Sequence, residues 1–181
     1  MASVKKLVFI DTETTGLNPD THEIIELGAI IAEYDPETKQ LVEKEIIDLK
    51  IKPEHIETAD AVALRINGYD PADWIFAVDL KSAMQKLQKA SEGGIMIAHN
   101  MAFDYLFLEH SFRKAGVENK MHYHKIDTIS VAFAKLGGVD DIGKYSMYAL
   151  CDRFGIKNQK AHSAYSDTRA LFELFQKLMS L

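Results

Sequence analysis

Asp11 and Glu13 stand one residue apart, just after the apolar run Leu7-Val8-Phe9-Ile10. In an extended strand, residues i and i+2 leave the same face. The two carboxylates are therefore neighbours, with Thr12 turned away from them. Adjacent carboxylates repel, and a hard divalent cation such as Mg2+ or Mn2+ relieves the repulsion through oxygen ligands. A bare Asp-x-Glu is equally the mark of a solvated strand end, so the pair needs company. A third carboxylate, Asp104, ends the segment His99-Asn100-Met101-Ala102-Phe103-Asp104, where a short apolar run passes into a helical pattern. An acid there could also cap the helix or oppose its dipole. His99 alone reads as a hydrogen-bonded structural histidine, and Phe103 as packing or the wall of a site. The last group is His162 and Asp167, five positions apart. That spacing does not stack two side chains on one helix face. It suits a histidine at a helix entry and a carboxylate in the second turn. Histidine can take a proton from water near neutral pH; taken singly, the two could be a surface histidine and a solvated acid.

Positioning these groups requires strand ends and helix starts at one edge of a sheet. Leu7–Ile10 reads as a buried central strand, 23–34 as a second, and 41–51 as a third. Asp35-Pro36-Glu37-Thr38 is a turn, so the three form an antiparallel meander. Residues 60–66 and 79–90 read as helices, the latter with Leu80, Ala83, Met84 and Leu87 on one face. Ile95–Ala98 is a short strand, 102–115 a helix stopped by Gly116, and 125–128 a fifth strand followed by a helix to about Leu136. Helices near 146–154 and 163–179 complete the chain. Strands first, then alternating helices and strands, predict an α/β chain with a mixed sheet and helices on its faces.

The length of 181 residues fits one domain, 1–181, with a sizeable core. Acidic residues outnumber basic ones, 27 to 21, giving a formal charge of −6. That argues against holding nucleic acid by bulk positive charge, but not against a carboxylate pocket neutralised by metal. Cys151 is the only cysteine, which excludes an intramolecular disulfide and a cysteine-rich zinc site. With no apolar run of membrane-spanning length in the sequence, a cytoplasmic protein without membrane contact is expected.

Taken together, the order Asp-x-Glu-Thr-Thr-Gly-Leu, His-Asn-x-x-Phe-Asp and His-x-Ala-x-x-Asp resembles the DEDDh-type, DnaQ-like 3′→5′ exonuclease family. That family includes the proofreading subunit of bacterial DNA polymerase III, ribonuclease T and oligoribonuclease. The resemblance runs from Leu7 to about Leu178 and takes in Asp127-Thr128 and Tyr148-Ala149-Leu150-Cys151. It implies a ribonuclease H-like fold with a five-stranded mixed sheet flanked by helices. It further implies two divalent cations held by Asp11, Glu13, Asp104 and Asp167, with His162 as general base. Leu17 would stack under the terminal base, Thr12 would offer its amide or hydroxyl to the terminal sugar, and Asn100 and Phe103 would join them in binding substrate. Where relatives often carry His-Gly-Ile, this chain has Ile66-Asn67-Gly68-Tyr69. Asn67 keeps hydrogen-bonding capacity there but cannot become a cation.

The implied substrate is the 3′ end of single-stranded nucleic acid. DNA is favoured over RNA because oligoribonuclease-like members usually carry Leu and Met where this chain has Thr12 and Thr14. A DNA polymerase is a possible partner and a homodimer a possible assembly. A non-catalytic binding module would be expected to lack one of the five site residues, and none is missing. Arg113, Lys114, Lys120, His122, His124 and Lys125 form a locally basic stretch, more often a solvated surface than a nucleic-acid track. Lys144, Tyr145, Lys157 and Lys160 flank the histidine motif as substrate contacts or surface residues. Trp74 and Cys151 read as packing groups.

Overall fold

A computed structural model of the chain describes residues 4–137, 142–158 and 162–181. Strands β1 (Lys5–Thr14), β2 (Ile24–Asp35) and β3 (Gln40–Lys50) are followed by helices α1 (Ala61–Ile66) and α2 (Leu80–Ser91). Then come β4 (Ile95–Ala98), α3 (Met101–Ala115), β5 (Lys125–Asp127), α4 (Thr128–Lys135), α5 (Met147–Phe154) and α6 (Ala164–Met179). Short 3-10 turns occupy Ile56–Thr58, Pro71–Trp74 and Ile142–Tyr145; the periodicity argument, which needs longer windows, did not find them. Strand β1 begins two residues earlier than its apolar run and continues through Thr14, so Asp11 and Glu13 lie within the paired strand.

The five-stranded sheet has the order β3-β2-β1-β4-β5. The meander β1, β2, β3 is antiparallel, and β4 and β5 add parallel to β1. This is the mixed sheet the pattern predicts. Alternation along β1 divides the core. Val8 and Ile10 face Met84, Leu87, Phe107, Leu108 and Phe112 of α2 and α3. Leu7 and Phe9 face Leu171, Phe172 and Phe175 of α6. Phe9 meets Phe172 and Phe175 edge-on, with ring centroids 5.0 and 5.4 Å away, the geometry that aromatic quadrupoles prefer. A further apolar cluster, including Ala132, Leu150, Cys151 and Leu174, packs α4 and α5 against α6.

This alternation decides where the chemistry goes. Asp11 and Glu13 continue the face of Leu7 and Phe9, toward α6, whereas Thr12 continues the face of Val8 and Ile10, toward α3. The helices that carry the remaining acids therefore approach the end of β1 from opposite faces of the sheet.

Candidate active site

Asp104 lies in the first turn of α3 and is buried. Its Oδ1 accepts from the Thr12 backbone amide at 3.0 Å and from the Thr12 hydroxyl at 2.8 Å. Thr12 lines the cleft, with its amide and hydroxyl both donating to Asp104. The i, i+2 argument showed which way Thr12 points, but not which helix it meets. Asp167 sits in the first turn of α6 rather than the second. The helix starts at Ala164, after Ser163, so the histidine lies outside it. Asp167 Oδ2 accepts from the His162 amide at 2.9 Å, and its Oδ1 accepts from Asn158 Nδ2.

Both acid-bearing helices are entered through a left-handed residue that is not glycine: Asn100 at φ 65° and His162 at φ 65°. Such conformations cost about 1–2 kcal/mol for an L residue and persist only where surroundings enforce them. In each case a carboxylate receives the strained amide. Asp127 Oδ1 accepts from Asn100 N at 3.1 Å while also capping α4, and Asp167 does the same for His162.

The resulting cleft, about 490 Å³ in volume, is lined by two unlike sets of residues. One comprises Asp11, Glu13, Asp104, Asn158, His162 and Asp167; the other is largely apolar, with Phe103, Met147, Tyr148, Cys151 and Ile156. Tyr148 is 84% exposed although it lines the cleft.

The electrostatics of the acidic set are unfavourable without a cation. Burial pushes Asp11 well above the carboxylate range, reinforced by the charges of Asp104, Asp167, Glu13 and Glu26. Burial and repulsion push Glu13 up to about 8. Burial raises Asp104 to about 7 against the opposing bonds from Thr12, and raises Asp167 despite its own hydrogen bonds. Four acids crowded in this way are a donor set suited to hard divalent cations. One oxygen each of Glu13 and Asp167 and one ring nitrogen of His162 lie within 4.8 Å of one another, close enough to share an ion. The donor chemistry thus fits the expected metals.

Other expected residues are placed differently. Leu17 is 80% exposed on the loop after β1 and outside the walls of the cleft. Asn67 is buried and also outside it; its Nδ2 donates to Thr14 O at 3.0 Å, bracing that loop. Asn100 and Phe103 line the cleft. His99 also lines the cleft, its Nδ1 lying 3.0 Å from Thr128 Oγ1, with burial holding its pKa down. The basic stretch is not an open track. Lys114 is bound by Glu23 and Glu54 at 2.7 and 3.0 Å, Lys120 faces Glu92 at 3.7 Å, and Lys125 sits over the Tyr105 ring. Tyr145 is buried, and Lys160 lies outside the described residues. Trp74 and Cys151 are buried as expected.

Two residues were missed: Asn158, which lines the cleft and donates to Asp167, and Glu26. Glu26 of β2, paired in register with Glu13, is buried beside the acids, where its Oε1 meets Lys50 Nζ at 2.9 Å and its Oε2 accepts from the Ala164 amide at 3.2 Å. The only hint of Glu26 in the sequence was an acid inside the apolar strand Ile24-Ile25-Glu26-Leu27.

Comparison with known proteins points the same way. A family model described as Exonuclease matches residues 8–175. Ribonuclease T of Shewanella sp. strain ANA-3 is 30% identical over 180 residues, covering 93% of this chain and 79% of that protein. Ribonuclease T of Shewanella oneidensis gives the same identity and coverage. Among solved structures, E. coli Exonuclease I in complex with a dT13 oligonucleotide superposes with a TM-score of 0.78 at 17% identity, over 96% of this chain and 41% of that one. Exonuclease I from Methylocaldum szegediense gives 0.71 at 21% identity, over 97% and 42%. This chain spans about two fifths of those proteins, and the likeness is one of fold, the ribonuclease H-like fold. Among the described residues, no helix is long and apolar enough to cross a membrane.

Proposed function

The chain belongs to the exonuclease family and is a 3′→5′ exonuclease acting on nucleic-acid 3′ ends, and from that premise we propose that it shortens single-stranded DNA by single nucleotides, using Mg2+ or Mn2+ as a pair of cations. Asp11, Glu13, Asp104 and Asp167 would hold the cations, with His162 as the general base. The observation that carries this reading is the convergence of four buried or half-buried acids and one exposed imidazole in a single cleft. Bound there, divalent cations supply Lewis acidity to the phosphodiester and neutralise the acids.

The residues divide the remaining work. Thr12 and Asn158 fix the orientations of Asp104 and Asp167. The His162 side chain, outside the helix and exposed, takes the proton of the attacking water at a ring nitrogen. The water oxygen bonds to phosphorus, the bond to the 3′ oxygen breaks, and that oxygen leaves, taking a proton from solvent to become the new 3′ hydroxyl. The products are a nucleoside 5′-monophosphate and a strand one unit shorter. The apolar residues receive base and sugar, with Phe103 and Tyr148 offering ring faces, a contact that tolerates any base.

RNA ends are the second reading, favoured by the similarity to proteins called Ribonuclease T. The free, buried thiol of Cys151 fits a reducing compartment, and we place the reaction in the cytoplasm, with a DNA polymerase as partner if the role is proofreading. The test is degradation of 5′-labelled single-stranded DNA and RNA with Mg2+, Mn2+ or EDTA, alongside Asp11→Asn and His162→Ala. A metal-dependent ladder from the 3′ end, lost in both variants, is expected, and the DNA-to-RNA rate ratio selects the substrate. Cleavage that persists in EDTA would overturn the metal reading.

A further inference from the structure

We propose that Glu26 is a positioning residue for the reaction: its carboxylate holds the entry to α6, and so sets where His162 and Asp167 stand. The role assigned to those two residues rests on the function proposed above.

Two contacts with β2 pin the first turn of α6 to the sheet, and one bond within the helix braces that turn. The Ala164 amide donates to Glu26 Oε2 at 3.2 Å. The Ala164 carbonyl accepts from Thr168 Oγ1 at 2.7 Å. The same carbonyl lies so close to Gly28 that a Cβ there would come within 2.3 Å of its oxygen. Glu26 and Gly28 are two apart on β2, hence on one face, and they pair with Glu13 and Asp11 of β1. The strand that lies beside the two β1 acids is therefore also the seat of the helix that brings Asp167. His162 precedes Ala164 by two residues and hangs its amide on Asp167 at 2.9 Å.

Glu26 does not resemble the four acids of the cleft wall. Both of its oxygens are engaged, one with α6 and the other with Lys50. Lys50 Nζ in turn lies 3.4 Å from the centroid of the Trp74 ring, and Trp74 Nε1 is fixed by donating to Ile25 O at 3.1 Å. A negative group beside four others is otherwise unfavourable, and Lys50 compensates it. What the side chain supplies is an acceptor oxygen of the right reach for a helix N-terminal amide, an otherwise unsatisfied donor. The chain of contacts from Trp74 through Lys50 and Glu26 to Ala164 holds the imidazole and the fourth carboxylate at their places over the cleft.

A misplacement of about 1 Å in a catalytic group can cost about 100-fold in rate. Glu26→Asp keeps the charge but is one methylene short, so it cannot serve Lys50 and Ala164 together. Glu26→Gln keeps an oxygen for the Ala164 amide. We expect Glu26→Asp to lower kcat by about 10- to 100-fold with KM within about threefold, and Glu26→Gln to recover most of the loss. Hydrogen exchange of the amides in 162–168 should quicken in Glu26→Asp while amides in β1 and α3 keep their protection. Mn2+ binding, measured by calorimetry, should weaken with it. A merely structural glutamate would lower protection throughout and leave kcat of the folded enzyme unchanged. Unaltered kcat and unaltered local exchange in both variants would overturn the proposal. If the wild-type protein degraded no 3′ end, the functional reading would fail, and exchange and Mn2+ affinity would still decide whether Glu26 holds the α6 entry.

Discussion

Thr12 gives both its backbone amide and its hydroxyl to a single oxygen of Asp104, at 3.0 and 2.8 Å, across 92 residues of sequence. Strand β1 thereby orients an acid carried by a helix on the other side of the sheet from Asp11 and Glu13. Thr12→Val keeps the shape and removes one donor. Losing a buried bond to a charged group costs about 1.5–3 kcal/mol, so the variant should melt several degrees lower. The Asp104 carboxylate, deprived of a bond that favours its charged form, should also bind Mn2+ more weakly. Calorimetric titration beside thermal melting checks both; unchanged Mn2+ affinity would refute the orienting role.

Removing an acid should separate stability from activity. Asp11 is held above the carboxylate range by burial and by four neighbouring acids. Asp11→Asn removes that repulsion at almost constant volume. In EDTA at pH 8 its melting temperature should exceed that of the wild-type protein by a few degrees, about 2–4 °C for each kcal/mol relieved. Nuclease activity should fall by at least about 1,000-fold, the scale seen when a group acting in the transition state is lost. A variant that is both less stable and inactive would indicate that Asp11 is needed for folding.

The pH dependence of stability follows from the same repulsion. Glu13 moves from 4.5 to about 8 in the fold, and Asp104 from 3.8 to about 7. Between the unfolded and folded values the native state holds more protons, so stability falls as pH rises through this window. The contribution is fully present below about pH 4 and gone above about pH 8. Groups shifted downward, such as Glu23 beside Lys114, act only at lower pH. Metal-free protein should therefore melt progressively lower from pH 5 to 8. Saturating Mn2+ should flatten the trend, with protons released on binding. Melting curves in EDTA and in Mn2+ across that range provide the check, and a rising metal-free curve would refute it.

Much of this site could be read in the sequence because its acids belong to local motifs. Asp11 and Glu13 share a strand face by their spacing, and Asn100 to Asp104 spans a strand-to-helix junction. Glu26 could not be read this way, because an acid in a buried strand gains meaning only from Lys50 and Ala164, 24 and 138 positions away. Asn67 was misread for a related reason. Resemblance put it at a substrate position, but α1 ends with its side chain donating to Thr14 O. The basic stretch, read as more often a solvated surface than a nucleic-acid track, has Lys114 and Lys120 met by Glu23, Glu54 and Glu92, distant in sequence.

The histidine contributes a nitrogen donor to a site otherwise made of oxygen. Glu13, His162 and Asp167 place one donor atom each within 4.8 Å of one another. Mg2+ has little use for imidazole, whereas Zn2+ binds it well. Zn2+ should therefore inhibit the Mg2+-supported reaction by capturing the ring that is proposed to accept a proton. His162→Gln, assayed on its residual activity, should lose at least about tenfold in sensitivity to Zn2+, the scale of losing one good ligand. Equal Zn2+ sensitivity in both proteins would place the inhibitory ion elsewhere.

Tyr148 and Leu17 separate two ways of seating the terminal base. Tyr148 is an exposed ring on the wall of the cleft, whereas Leu17 projects from a loop outside it. A base–aromatic stack is worth about 1–3 kcal/mol, which corresponds to about 5- to 150-fold in affinity. If the base lies against the apolar residues of the cleft, Tyr148→Ala should raise KM within that range, leave kcat within about threefold, and leave the melting temperature unchanged, since the ring buries little. Leu17→Ala should then raise KM by less. The reverse order, with Leu17 dominant, would mean that the base is held by the loop after β1, and that the wall formed by α5 serves the sugar or the next nucleotide. Steady-state kinetics on a single-stranded oligonucleotide of one sequence, with all three proteins at saturating Mn2+, distinguish the two.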